Sequence, residues 1–373
     1  MENTTSKRLN SFVANINLNS VIIAGISIIA VIIISFLAEG FFSLRNLSNL
    51  LYQVSALGLL VLGITPVIII GQLDLSLVAL MTVASIIGTL VIGNTGSIFL
   101  GIVLMLLIGA GIGAFNGFFV GKMKVVSFIV TLAVMIVGGG VAAYLTKSVT
   151  IGSLPAEYVW IGQGRIGVIP VPFFIYMFLT IVGFIVMNNH YIGRWVYSIG
   201  NNVNASKLAG IPIETTIIFV FIFAGLMASV SGIVQSAKLG YASASMIRTG
   251  TLVNYIAAAT IGGVSISGGK GNLLNAVFGT FVIVIISNAC TFLGVGYYEN
   301  LIIKGVIIVV IVVLDNISFD RFKNQNINGI LRFLHKPFPI ATRSGQALSF
   351  LFYSEYYQLQ LINRLLASQG AKT

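Results

Sequence analysis

Between residues 20 and 315 the chain offers ten apolar runs, most of them near 20 residues long. That is the length of helix that crosses the hydrocarbon core of a bilayer. Spans are expected at 20–38, 51–70, 75–92, 98–120, 127–146, 168–188, 213–236, 272–293 and 301–315. The run at 252–264 is too short to cross as a regular helix and ends on Gly262 and Gly263, which points to a half-helix or a broken span. The expected fold class is therefore all-α, a polytopic integral membrane protein of about ten transmembrane helices that include broken or half helices.

Charged residues make up only 8% of the chain, where a soluble domain carries about a quarter. The net charge of +11 is of the sign that nucleic acid attracts, but the basic residues sit in short clusters between apolar runs, without a basic stripe. Orientation in the membrane explains them better. With the N-terminus inside, the inner segments carry Lys7, Arg8, Lys122, Lys124, Arg194, Lys207, Lys270, Arg321 and Lys323, and the outer ones Arg45, Lys147, Arg165, Lys238 and Arg248. The inner excess follows the positive-inside rule and puts both termini in the cytoplasm. The run from Val21 to Leu37 lacks a small-residue cleavage site and reads as a retained span. The chain thus divides into a cytoplasmic segment at 1–19, a transmembrane domain at 20–316 and a basic, aromatic-bearing cytoplasmic tail at 317–373. Within that tail, 348–366 has the makings of an interfacial amphipathic helix, or is an unrelated extension, and no function is assigned to it.

Glycines recur inside the spans, as at Gly109, Gly111, Gly113 and Gly117 and at Gly138, Gly139 and Gly140. Lipid supplies no hydrophobic drive between helices, so small residues that let backbones approach read as packing faces. Two regions also share a look, an apolar run, a glycine-marked polar break and a second apolar run. One runs from Gly63 through GQLDLS at 71–76 to Gly88, the other from Gly262 through SGGKG at 267–271 to Gly279, a weak hint of internal duplication.

The connection between the sixth and seventh spans carries the longest inner loop before the tail. Asn201 or Asn202 can cap a short helix running to Leu208, and Gly210 followed by Pro212 can stop it. Such a helix is either a rigid surface for a cytoplasmic partner or a plain interfacial loop. Asp74 is an ionisable group in an apolar stretch, a functional candidate by default. It also stands where it can cap the third span at a cytoplasmic turn. Ser76, Asn116, Asn254, Ser287 and Asn288 lie in or beside spans and can bond a hydroxylated solute or a neighbouring helix.

These residues carry a resemblance. Gly193, Arg194, Tyr197, Gly200, Asn201, Ala205, Leu208, Gly210 and Ile211 look like the loop of the ribose, xylose and galactose permeases of binding-protein-dependent ABC importers. In that family the loop holds a coupling helix that docks on the ATPase subunit. The segment GGVSISGGKG, with Gly262, Gly263, Ser265, Ser267, Gly268, Gly269, Lys270 and Gly271, resembles the family's GGTSLSGG element followed by a basic residue and glycine. GQLDLS resembles its GGIDLS element. The similarity covers about residues 20–316, with departures at Gln72, Val264, Leu77, Val78 and Ala79.

The resemblance implies a permease subunit of an ATP-driven importer that translocates a ribose-like monosaccharide. It implies separate ATPase subunits, a second permease subunit, identical or related, and an extracytoplasmic sugar-binding protein. No cofactor, metal or nucleic acid is expected, and no catalytic residue. The SGGKG run is no nucleotide loop, because a Walker A pattern aligned on Gly269 and Lys270 has Val264 where it needs glycine and Gly271 where it needs Ser or Thr. The histidines, His190 and His335, and the single Cys290 build neither a metal site nor a hydrolytic triad. Two rivals remain, an ion-coupled secondary transporter, which would have little beyond Asp74 as an intramembrane relay, and a passive channel or membrane scaffold.

Overall fold

A computed structural model describes residues 40–306, except 148, 153 and 297, and residue 309. The spans expected at 20–38 and beyond 309, and the tail at 317–373, lie outside the described residues. Within them the chain forms α1 (Leu44–Ile69), α2 (Leu77–Thr95), α3 (Ile98–Gly121), α4 (Ser127–Thr146), α5 (Ala156–Gln163), α6 (Val171–Asn189), α7 (Tyr191–Asn201), α8 (Val203–Leu208), α9 (Ile213–Leu239), α10 (Thr249–Ile261) and α11 (Leu273–Phe292). Helix resumes over 298–306, where the tenth span is expected.

Seven of these, α1 to α4, α6, α9 and α11, are long and apolar enough to cross a membrane. The chain is an all-α polytopic membrane protein. Polar caps mark where several of these helices begin, although the apolar runs around them are nearly featureless. Ser43 accepts a hydrogen bond from Asn46 N–H at α1, Ser97 from Leu100 N–H at α3 and Asn272 from Leu274 N–H at α11. α10 has 13 residues, so it reaches only about 20 Å and stops short of a full crossing.

α9 is the central strut and packs against α3, α1, α2 and α5, while α1 and α2 are mostly buried. α3, α4 and α6 turn much of their surface outward. The seam between α3 and α9 is made of glycine. Gly109 and Gly113 lie against the backbone of Gly225 and Phe221, and a methyl group at Gly117 would sit 2.6 Å from Ile218 Cα. Gly138 likewise abuts Ala79 of α2. The packing reading fails at Gly111 and Gly140, which have nothing within 4 Å. Polar bonds tie the seams. Ser229 donates to Met105 C=O (2.8 Å) and Ser231 to Ala56 C=O (2.8 Å), the exchange that lipid favours in place of unpaired hydroxyls.

Between α4 and α6 the sequence reading had only an outer connection. The structure places α5 there, with a two-residue antiparallel ribbon pairing Arg165–Ile166 with Ile169–Pro170. The connection at 189–212 also differs from a loop. It is almost wholly helical, because Gly193, Val196 and Ile199 form a buried stripe at helical spacing on α7.

Candidate functional site

The two polar breaks of the chain meet at one end of the bundle. The first, after α1, turns through Gly71, whose N–H donates to Ile68 C=O (2.8 Å). The second, between α10 and α11, closes on itself. Ser265 N–H donates to Lys270 C=O (3.1 Å) and Gly268 N–H to Ser265 C=O (3.0 Å). Gly268 and Gly269 both have positive φ, +84° and +74°, a conformation that side-chain-bearing residues rarely adopt, so this tight turn needs the glycine pair. It sets Gly269 N–H 2.8 Å from the C=O of Ile69, a direct backbone bond from one break to the other. The shared look of the two regions thus corresponds to two helix–break–helix units whose breaks touch.

α7 closes over this junction. Gly200 lies so near that a Cβ there would run into Ile69 C=O and come within 2.6 Å of Gly269 N. Asn201 sits beside Gly269, and the Tyr197 hydroxyl donates to Gly271 C=O (3.0 Å). Burial raises the Tyr197 hydroxyl above its ordinary value, so it remains a protonated donor. At the other end of α7, Gly193 packs against the Met187 backbone, and Arg194 faces outward.

α8 follows as a short arm. Asn202 caps it, its Oδ1 accepting from Ala205 N–H (3.0 Å), so of the two asparagines considered the second does the work. Gly210 ends the arm at φ +75°. The hydroxyls of Ser198 and Ser206 bond at 2.8 Å and pin α8 to α7. Ala205 and Leu208 stay outside, Leu208 being 91% exposed.

Beneath the first break lies a buried polar chain. Asn116 Nδ2 donates to Ser76 Oγ (2.9 Å), and both the N–H (2.8 Å) and the hydroxyl of Ser76 donate to Asp74 Oδ1. Asp74 is only 1% exposed, and its C=O accepts from the Tyr255 hydroxyl (2.9 Å). Asp74 therefore folds the break into a turn, while Ser76 occupies the cap position of α2. Tyr255 was missed in the sequence, where a tyrosine in an apolar half-helix carries no local signal of a partner at position 74. Asn254, its neighbour, keeps a buried Oδ1 without a partner among the described residues. Asn288 stands apart. Its amide exchanges two bonds with Asn46 at 3.0 and 2.9 Å, near the far end of α1, roughly 35 Å of helix away from Ile69. Ser287 bonds its own helix through Ile283 C=O.

The junction end also gathers cations that the sequence reading assigns to one side of the membrane. The first break is tied to α4 by Leu73 N–H on Ser127 Oγ (3.1 Å), next to the segment bearing Lys122 and Lys124, and α7 and α8 bring Arg194 and Lys207. Lys270 sits in the second break. One cation was overlooked in the sequence, Lys304, which is 6% exposed inside the tenth expected span. Among the described residues no group of three His, Cys, Asp or Glu side chains is placed to hold a metal.

Residues 46–312 match the family described as the branched-chain amino acid transport system permease component. The chain belongs to this permease family. It is similar to the ribose import permease protein RbsC of Escherichia coli (strain K12), 31% identical over 78% of this chain and 91% of that protein. RbsC of Haemophilus influenzae is 33% identical over 78% of the permease and 90% of the relative, and the xylose transport system permease protein XylH of Escherichia coli is 29% identical over 75% and 87%. No solved structure matches. The family resemblance read from the three motifs is borne out, and the motifs fall where the chain folds most unusually, at the two breaks and on the arm.

Proposed function

We propose that this permease is the membrane subunit of an ABC importer that moves a ribose-like monosaccharide into the cell, with ATP hydrolysed on separate subunits docked at α8, the short arm that α7 carries. The observation that carries the docking is α8 itself. It is a capped, pinned helix outside the spans whose Ala205 and Leu208 nothing in the described chain covers. The similarity to ribose and xylose permeases over about nine-tenths of their lengths supports the sugar class.

The junction end faces the cytoplasm in this reading. Lys122, Lys124, Arg194, Lys207 and Lys270 gather there, as the positive-inside rule requires. Both termini are placed on the same side. A second permease subunit completes the pathway, and an extracytoplasmic binding protein delivers the sugar to the far end. The permease breaks no bond and alternates which side its cavity faces. Asp74, Ser76, Asn116 and Asn254 remain the pathway candidates, and of these Asp74, Ser76 and Asn116 are joined in one polar chain.

The test is uptake of labelled pentoses and hexoses in a strain lacking other sugar carriers. Ala205→Trp is expected to abolish ATPase association and uptake while membrane insertion persists. Normal uptake in that variant refutes the docking role, and no uptake of any pentose or hexose by the unaltered protein refutes the sugar class. Uptake that collapses with a proton ionophore while ATP is maintained favours the secondary-transporter rival.

A further inference from the structure

We propose that Gly200 and Tyr197 are positioning residues that key both chain breaks to the α7–α8 arm, so that arm and breaks move as one body when the transporter cycles. The proposal rests on the docking reading above and extends it from the surface of α8 to the contacts behind it.

The chain of contacts is continuous and short. α8 is held to α7 by the Ser198–Ser206 hydroxyl bond at 2.8 Å. α7 grips the second break twice, through the Tyr197 hydroxyl on Gly271 C=O at 3.0 Å and through the seat of Asn201 beside Gly269. That break grips the first through Gly269 N–H on Ile69 C=O at 2.8 Å. Gly200 occupies the point where all three segments meet, against Ile69 C=O and Gly269 N alike. Both obstructing groups are backbone, so no side chain can swing aside for a methyl group at 200. The first break in turn anchors α2 through Asp74 and Ser76, and the second opens α11. A displacement applied to α8 therefore reaches two spans through bonded contacts, without crossing a lipid-facing surface.

A merely structural glycine would change how much protein folds. A keying glycine changes how much sugar moves per ATP. In proteoliposomes holding the full transporter, Gly200→Ala is expected to keep its ATPase subunits and hydrolyse ATP, because α8 is untouched, yet to lose at least tenfold in sugar taken up per ATP hydrolysed. Tyr197→Phe, which removes one hydrogen bond and no volume, is expected to lose severalfold in the same ratio. An unchanged ratio in either folded variant overturns the proposal.

Should Gly200→Ala fail to fold, a cross-link decides. In a Cys290→Ala background, Asn201→Cys and Lys270→Cys flank the arm–break contact and can be joined by a short bis-maleimide. Uptake that survives joining, against the same protein before the reagent, is the expected result; arrest on joining means the arm slides over the break and overturns the one-body motion. Should the double cysteine protein be inactive before joining, Tyr197→Phe carries the decision alone. Failure of the parent reading looks different, since the unaltered chain would then neither bind an ATPase nor need one.

Discussion

Replacing Gly117 by alanine puts a methyl group into the seam where α3 and α9 touch. The nearest atom, Ile218 Cα, would be 2.6 Å away, with Ile218 O at 3.1 Å and Phe221 Cβ at 3.2 Å. The first is about 1 Å inside the carbon–carbon optimum of 3.5–4.0 Å. Relief requires the two helices to part, and overpacking of this kind costs about 1–3 kcal/mol. For a domain of this size that is a fall in melting temperature of roughly 2–5 °C. Gly111 is the internal control, on the same helix but with nothing within 4 Å, so Gly111→Ala is expected to hold or to gain about 0.5–1 kcal/mol of helix preference. The assay is built into the chain. Cys290 is its only cysteine and is buried, so a thiol-reactive dye reports unfolding in detergent without labelling. Equal melting temperatures for Gly117→Ala and Gly111→Ala would refute the idea that contact geometry, rather than glycine as such, holds the seam.

Other variants probe the polar bonds by the same melt. Asn288→Leu is expected to destabilise, because it strands the Asn46 amide, and Asn46→Leu with Asn288→Leu to recover part of the loss; the coupling from the double-mutant cycle should be about 0.5–2 kcal/mol, and a value near zero removes the pair as a tie between α1 and α11. Asp74→Asn retains an Oδ1 that accepts from Ser76 and should melt within about 1 kcal/mol of the unaltered chain. Asp74→Leu leaves the buried Ser76 N–H and hydroxyl without their acceptor and should cost about 2–5 kcal/mol. Indistinguishable melts for these two would show that the turn holds itself without the carboxyl oxygen.

What the sequence disclosed follows from how local each signal is. Span positions were legible because apolar length is a property of the run itself, and α2, α3, α4 and α11 lie within three residues of where the runs placed them. The short α8 was legible because its cap and its stop, Asn202 and Gly210, are its own neighbours. The α7 helix was hidden inside a polar-looking connection, since its buried stripe of Gly193, Val196 and Ile199 has meaning only against the bundle it packs on. The meeting of the breaks was invisible for the same reason. The bond from Gly269 to Ile69 joins residues 200 positions apart, and no spacing rule links them.

The glycines that make close contacts at the α3–α9 seam and at the junction form two mechanical classes, and the difference bears on which parts can move. Along α3 they press helix against helix over several turns, from Gly109 to Gly121, so the seam with α9 resists separation along its whole length. At the junction the contacts are few and single, one backbone bond, one tyrosine hydroxyl and one close approach at Gly200. A hydrogen bond contributes only about 1 kcal/mol net, so what keeps the junction together as one body is chiefly the backbone approach at Gly200, where no side chain can give way. α3 and α9 therefore act as the frame, and the breaks, with the arm keyed to them, are where an alternating-access motion can enter.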